Sequence, residues 1–522
     1  MNILFLTQSG TLDVFHDVAD VLKHSNQIDK LGYYIADKDR FKKFKKRNPE
    51  FPLLKTDVLY EWDILCEAQD SQLDTNQLRG MEDRLGDPCL WNVIIADRRL
   101  STGLRSVIEQ DYRWRYDHDQ LMQILQVAIR KIEELFDQVQ PTVVVNFICV
   151  SLGDYLGYLV ARSRGIPFLN LRPTRVANYF IAGESVHEPS QRLCKTYQHF
   201  LKVGIDGQLE EKAKSYLADV RKTHAMYEGV IPATGLIPNN REYSILQRIS
   251  GFAKTVISLV AVDLDRISGK NKDDNYYVPG LFWLWQEKCV KPWRRRRLNS
   301  LLDKQAVSAH DLPTVDYAFY PLHKEPEVTL LVYGRPYVNQ IEVVRNLARS
   351  LPVGMKLVVK EHPAASGYRP ISYYKKLGDI PNVLLLSASI RSREVINNAK
   401  LVAVISGSVG FEAVMLKKPV VTLGDAPFNI LPDLMVHEVG DLRGLARIVD
   451  TILKNHKHEE AALIAYVSAV MQEGVAVDFY TSLLSRKGVY SEAIEGGNDI
   501  RKQHLINLSE YIIKQSKSVV EI

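Results

Sequence analysis

Cysteine is scarce in this chain: five residues in 522 (Cys66, Cys89, Cys149, Cys194 and Cys289), an odd number, widely spaced and without a C-x-x-C pair. That usage argues against a disulfide framework or a structural zinc site and fits a reducing compartment. Also missing is any apolar run of bilayer-spanning length, since TVISLVAV at 255–262 is far too short. The opening MNILFLTQSG has no basic n-region and only a short apolar run, so a first strand is expected there and not a signal peptide. No segment is of low complexity, and nothing repeats at a short fixed period. The net charge of +5 is too mild to point to nucleic acid. What these absences leave is a cytoplasmic, soluble protein with residues enough for two or three cores.

What is present is alternation. NILFLT (2–7), LGYYIA (31–36), NVIIA (92–96), TVVVNFI (142–148) and IPFLNL (166–171) are short apolar runs interleaved with helical patterns, the longest helix being expected over 117–139. Strands apolar throughout belong in a parallel sheet covered on both faces. From 185 to 312 helical patterns dominate, ending in GLFWLWQEKCVKPWRRRRL (280–298). A second alternating set follows: DYAFYPL, VTLLVY, MKLVVK (355–360), NVLLL (382–386), LVAVI (401–405) and PVVTL (419–423). The expected division is an α/β domain over 1–184, a helical insertion over 185–312, a second α/β domain over 313–440 and a helical tail over 441–522.

The second domain carries the chemistry. In VISGSVGFEAVMLKKPVVTLGD (404–425) a strand ends at Ser406-Gly407-Ser408-Val409-Gly410 and a helix begins. Free N–H groups and the positive end of the helix dipole suit an anion there. Gly407 and Gly410 would clear space for a phosphate, Ser406 and Ser408 would add hydroxyl donors, and Glu412 would accept from ribose hydroxyls. A plain helix cap with close-packing glycines is the competing reading of this turn. MKLVVKEHPAA runs a strand into His362-Pro363, which holds the histidine extended and able to donate to a phosphate. His323, Glu325 and Glu327 cluster between prolines in PLHKEPE (321–327), either as part of a site or as a polar loop.

Together PLHKEPE (321–327), VVKEHP (358–363) and SGSVGFEAVMLKKPVV (406–421) resemble the bacterial capsule polysaccharide biosynthesis family, which includes β-Kdo transferases. The likeness is strong over 314–430 and weaker over 157–185. It implies a GT-B-like fold of two Rossmann-like doubly wound parallel-sheet domains, and a metal-independent, inverting glycosyltransferase needing no cofactor. Its nucleotide-sugar donor, of the CMP-Kdo kind, would be held by His362, Pro363, Ser406, Gly407, Ser408, Gly410 and Glu412. His323, Glu325 and Glu327 would border the donor sugar. No D-x-D cluster is placed in the second domain to hold a divalent metal.

An inverting transfer needs a general base. Asp13 and His16, after the first strand, and Glu184 in IAGESVHEP, beside His187 and Glu188, are the candidates, with Asp13 preferred; a helix cap is the alternative role for Asp13. Arg172 and Arg175 could meet an acidic acceptor, an oligosaccharide or a lipid-linked precursor. The aromatic-basic stretch 280–298, with FKKFKKR (41–47), suits an anionic membrane surface, so a peripheral place at the inner face of the cytoplasmic membrane is expected. Competing functions are a CDP-alditol phosphotransferase of teichoic-acid type, a nucleotide-sugar epimerase and a non-catalytic scaffold of a capsule assembly complex.

Overall fold

The computed structural model describes residues 1–25, 27–52, 56–86, 89–101, 114–223, 280–305, 315–484 and 497–518, with short pieces at 226, 253–261, 263–264 and 268. The chain divides into two compact units, Met1–Leu169 with Ile237–Trp293 and Ile512–Ile522, and Asn170–Leu236 with Arg294–Tyr511.

Six strands come from the N-terminal part of the chain: β1 (Asn2–Thr7), β2 (Lys30–Ile35), β3 (Thr56–Tyr60), β4 (Val143–Phe147), β5 (Phe168–Pro173) and β6 (Tyr179–Gly183). Six more form a second sheet: β7 (Tyr317–Pro321), β8 (Lys356–Lys360), β9 (Val383–Leu386), β10 (Leu401–Val404), β11 (Val420–Thr422) and β12 (Val436–Glu438). A short β13 (Val475–Ala476) completes the first sheet, whose order is β3-β2-β1-β4-β5-β6-β13. The second runs β9-β8-β7-β10-β11-β12, with its five strand pairings all parallel. Both follow the 3-2-1-4-5-6 order of a doubly wound, dinucleotide-binding sheet. The chain thus has the two Rossmann-like sheets of the GT-B-like class.

Local sequence explains these elements. β4 (VVVNF) and β10 (LVAV) are buried along their whole length, as expected for strands covered on both faces. The helix His118–Val139 starts at a capping box in which Asp117 and Gln120 exchange hydrogen bonds. Ser151 and Asp154 do the same for the helix Leu152–Ser163. Gly157 in that helix lets it sit close to the sheet, because a Cβ there would lie 2.4 Å from Leu6 Cδ1.

Three expectations need correction. NVIIA is not a strand but part of the helix Trp91–Ala96, and VTLLVY is helical over Thr329–Tyr333. Both are short, fully apolar runs, for which periodicity cannot separate a buried strand from a buried helix. The first sheet is also not wholly parallel, since β6 pairs antiparallel with both β5 and β13. β5 and β6 are joined by a turn of only a few residues, too short for the crossover a parallel pair needs. Over 185–312 the described elements are helical: Gln191–Val203, Gly207–Thr223, and a continuous helical run over Gly280–Gln305; much of 224–279, and 306–312, lies outside the described residues. The tail carries Leu445–Asn455, Glu460–Glu473 and Gly497–Ser518, with 485–496 outside the described residues.

Candidate functional site

The second sheet reverses its strand order between β7 and β10, and the loops leaving the C-terminal ends of β7, β8 and β10 carry the three motifs. Ligands of doubly wound sheets bind at such a switch point. PLHKEPE follows β7, Glu361-His362-Pro363 follows β8, and the Ser406 turn follows β10.

The Ser406 turn is built from inside. The Ser406 hydroxyl is fully buried and donates to the Asp425 carbonyl. The Ile405 N–H donates to His323 Nε2 at 3.0 Å, which fixes the ring with its proton on Nδ1. Burial holds that imidazole neutral, at a pKa of about 3. A Cβ on Gly407 would lie 2.7 Å from His323 Cε1, and one on Gly410 would lie 2.8 Å from Val404 Cγ2 and 2.9 Å from Phe428 Cζ. The two glycines therefore admit protein side chains into the space that sequence reasoning had left to a ligand. Gly407 is the N-cap of the helix Ser408–Met415 and offers no side chain to cap it. The Ser408 and Val409 N–H groups at its first turn have no intrahelical acceptor, and both residues are only half-buried.

His362 occupies the N-cap of the short turn Pro363–Ala365, where its Nδ1 accepts from the Ala364 N–H at 3.1 Å. Its pKa is lowered to about 4, chiefly by burial, with Lys324, Lys360 and Arg369 adding to the shift and Glu361 opposing it. A neutral ring with Nδ1 occupied carries its proton on Nε2. That leaves one N–H donor at the end of β8. In that state the ring offers a hydrogen-bond donor and no positive charge.

Two charged groups stand nearby without a hydrogen bond or ion pair among the described residues. Lys360, the last residue of β8, is 3% exposed; burial lowers its pKa, while Glu361 and Glu412 pull the other way. Glu412, one turn into the Ser408 helix, has its carboxyl pushed up by burial and pulled down by Arg393 and Lys360. Arg393 is held by the Val220 and Arg221 carbonyls. Sequence reasoning did not single out Lys360 or Arg393. A lysine closing an otherwise apolar, buried strand was the available signal for Lys360.

Beneath the motifs lies a buried ionic network. Arg369, fully buried, bonds Glu361, Glu325 (3.3 Å) and the His323 carbonyl. Glu361 also accepts from the Tyr374 hydroxyl, and Gln340 bonds both the His323 backbone and Glu325. His323 and Glu325 thus brace the loop after β7 against the turn after β8. Glu327 is exposed, and its carbonyl accepts from the Leu330 and Leu331 N–H groups at 3.0 Å. Nothing in PLHKEPE or VVKEHP signals Arg369, because its partners come together only in the fold.

The base candidates lie elsewhere. In the first unit, Asp13 sits in the first turn of the helix Thr11–His24, 2.7 Å from Arg47 Nη2. His16 is buried edge-on to Phe44 and Phe51, with Nε2 3.6 Å from Asp20. In the second unit, Glu184 accepts from the Ser190 hydroxyl and the Gln191 and Arg192 N–H groups, capping the helix Gln191–Val203. Among the described residues, no cluster of three His, Cys, Asp or Glu side chains is arranged to hold a metal ion. No helix there is long and apolar enough to cross a membrane. In the basic segments, Phe44 is buried and Phe41 meets Phe51 edge-on and Tyr60 and Trp62 at a tilt, whereas Trp285 and Trp293 are each 53% exposed.

Residues 332–432 match the family model of the capsule polysaccharide biosynthesis protein. This bears out the resemblance over the stretch that holds VVKEHP and the Ser406 turn; PLHKEPE lies just before it. Protein FixF of Sinorhizobium fredii is 34% identical over 122 residues, which are 22% of this chain and 28% of that protein. Among solved structures, the KpsC β-Kdo 2,7 transferase of Thermosulfurimonas dismutans matches 73% of this chain and 89% of its own at 11% identity and a TM-score of 0.35. The UDP-GlcNAc 2-epimerase of Methanocaldococcus jannaschii matches 90% of this chain and 98% of its own at 13% identity and a TM-score of 0.25.

Proposed function

We propose that the chain is an inverting glycosyltransferase of surface-polysaccharide assembly. It takes a sugar from a nucleotide-sugar donor, of the CMP-Kdo kind, and passes it to an oligosaccharide or a lipid-linked precursor. The observation that carries this reading is the unspent chemistry around the β8 and β10 strand ends: two free helix N–H groups, the His362 Nε2–H, Lys360 and Glu412. Those groups complement a phosphate and a ribose.

In this reading the phosphate accepts from the Ser408 and Val409 N–H groups, the Ser408 hydroxyl and His362 Nε2–H, while Glu412 accepts from ribose hydroxyls. As the bond from the anomeric carbon to the phosphate oxygen breaks, negative charge grows on the phosphate. The helix dipole and the Lys360 ammonium stabilise that charge, so that no divalent metal is called on. The acceptor hydroxyl attacks the opposite face and gives its proton to a carboxylate, which we assign to Asp13. The exposed Phe282, Trp283, Trp285 and Trp293, followed by Arg294–Arg297, rest on anionic lipid, which would place the enzyme at the inner face of the cytoplasmic membrane. Binding to anionic liposomes at low salt checks that last point, and its absence removes it.

The test of the function is titration of the protein with CMP, CDP, UDP and GDP, repeated on Glu412→Ala. Binding selective for CMP and lost in the variant supports the acidic-sugar donor. A preference for UDP or GDP keeps the transferase and discards CMP-Kdo. No nucleotide binding overturns the reading in favour of a scaffold.

A further inference from the structure

The loop joining β5 to β6 is fixed in place by its own chemistry. The Thr174 hydroxyl donates to the Tyr179 carbonyl at 2.9 Å and accepts from the Val176 N–H at 3.2 Å. Val176 and Ala177 belong to the same extended apolar cluster as Phe411, Ala413 and Phe428. Arg175, between them, is held in the left-handed region at φ 69. Arginine gains nothing by itself from that conformation, and such strain collects at functional positions.

Its charged neighbours make their close contacts with one another, although the Arg175 charge, like that of Arg172, draws the buried Glu188 carboxyl down. Arg172 Nε lies 2.9 Å from Glu188 Oε1, and His187 Nδ1 lies 2.9 Å from Asp425 Oδ2. The carbonyl of that same Asp425 accepts from the Ser406 hydroxyl, which ties this group of charges to the Ser406 turn. Arg175 has no ion pair and no side-chain hydrogen bond among the described residues, and its Nη1 is buried without a partner. A buried donor of a charged group left unmet is a cost to the fold. The Arg175 charge also bears on His323 and helps hold that ring neutral. A cation whose field reaches His323, beside the Ser406 turn, and whose guanidinium makes no ion pair or side-chain hydrogen bond among the described residues, fits an anion that arrives with the ligand.

We infer that Arg175 binds a second anionic group of the ligand, separate from the phosphate at the Ser408 helix: a carboxylate on the transferred sugar or a second phosphate of the nucleotide. This rests on the nucleotide-sugar reading of the site and adds the chemical class of its substrate. A guanidinium meets either oxyanion through paired N–H donors.

The test titrates wild type, Arg175→Gln and Arg175→Lys with CMP, with CDP, and with free 3-deoxyoctulosonic acid at saturating CMP. The expected result is CMP affinity within about twofold of wild type in Arg175→Gln, with binding of CDP or of the keto acid weakened about tenfold or more. Partial recovery in Arg175→Lys supports a charge contact. Whichever ligand suffers identifies the second anion as phosphate or carboxylate. Unchanged affinities, or CMP weakened as much as CDP, overturn the assignment. If wild type binds none of the nucleotides, the nucleotide-sugar reading has failed on its own. Inorganic pyrophosphate then decides the anion site: stabilisation of wild type against heat but not of Arg175→Gln upholds it, and equal behaviour overturns it.

Discussion

The His323 ring fills the space that a side chain at Gly407 would need, with Cε1 2.7 Å from where the Cβ would be. The ring cannot withdraw, because its Nε2 takes the Ile405 N–H and its backbone is clamped by Gln340 and Arg369. Gly407→Ala is therefore expected to destabilise the protein by about 1–3 kcal/mol, as overpacking of a rigid core does. It should also weaken CMP binding by displacing the helix start. Urea unfolding and CMP titration of the variant check both.

His362 has two tasks that one substitution separates. Asparagine can still accept from the Ala364 N–H but cannot replace the Nε2–H donor. His362→Asn is expected to keep the fold and to weaken CMP about tenfold, the worth of a hydrogen bond to a charged group. His362→Ala loses the cap as well, about 1 kcal/mol of stability. Thermal melts beside titrations of the two variants resolve the pair; an Asn variant that binds CMP normally removes His362 from the phosphate.

Among the described residues, Arg369 is the only cation placed directly on both Glu325 and Glu361. Arg369→Met leaves two buried carboxylates without it and is expected to cost about 3–5 kcal/mol. Adding Glu325→Gln and Glu361→Gln to that variant should recover part of the loss. Urea midpoints of the three proteins measure it.

How far the sequence foretold this arrangement depends on what each residue answers to. The strands β7, β8 and β10, their parallel sheet and the helix start near Ser408 follow from local patterning and were legible; the order of the strands was not. The roles of Gly407 and Gly410 were not, because a glycine reports only that something sits close, and here that is His323, Val404 and Phe428. Arg369 was invisible for a related reason: its partners are 44 and 8 residues away. Trp91–Ala96 and Thr329–Tyr333 were misjudged because a five-residue apolar run carries no usable period.

Acid should expose the neutral histidines. His323 at about 3 and His362 at about 4 are both below the ordinary imidazole value of 6.5. Below that value the unfolded chain takes up protons that the folded protein refuses, so this stability is full above pH 6.5 and is lost as pH falls towards 4 and 3. His362, shifted from 6.5 to about 4, accounts for about 3 kcal/mol of it. Glu325 and Glu188, whose carboxyls burial pushes up, act in the opposite sense. Comparison with a variant isolates the histidine share: His323→Gln should be less stable than wild type at pH 7 but fall less steeply towards pH 4. Parallel acid limbs for the two proteins would contradict a neutral, buried His323.

The base assignment is tested by separating binding from turnover. Asp13 belongs to the first unit and the proposed phosphate and ribose groups to the second. Asp13→Asn is therefore expected to leave CMP affinity unchanged while lowering sugar transfer about 10²–10⁴-fold, the usual worth of a general base. Glu184 already spends its carboxylate on the Ser190 hydroxyl and on two N–H groups at a helix start. Glu184→Gln should accordingly cost about 1 kcal/mol of stability, as a weakened cap does, with transfer falling only in step with the folded fraction. His16, enclosed by Phe44 and Phe51, should behave as a core residue, and His16→Leu should retain transfer. Transfer measured per folded molecule across the three variants decides among them. Full activity in Asp13→Asn with a large loss in Glu184→Gln would move the base to the second unit, next to the Arg172–Glu188 pair.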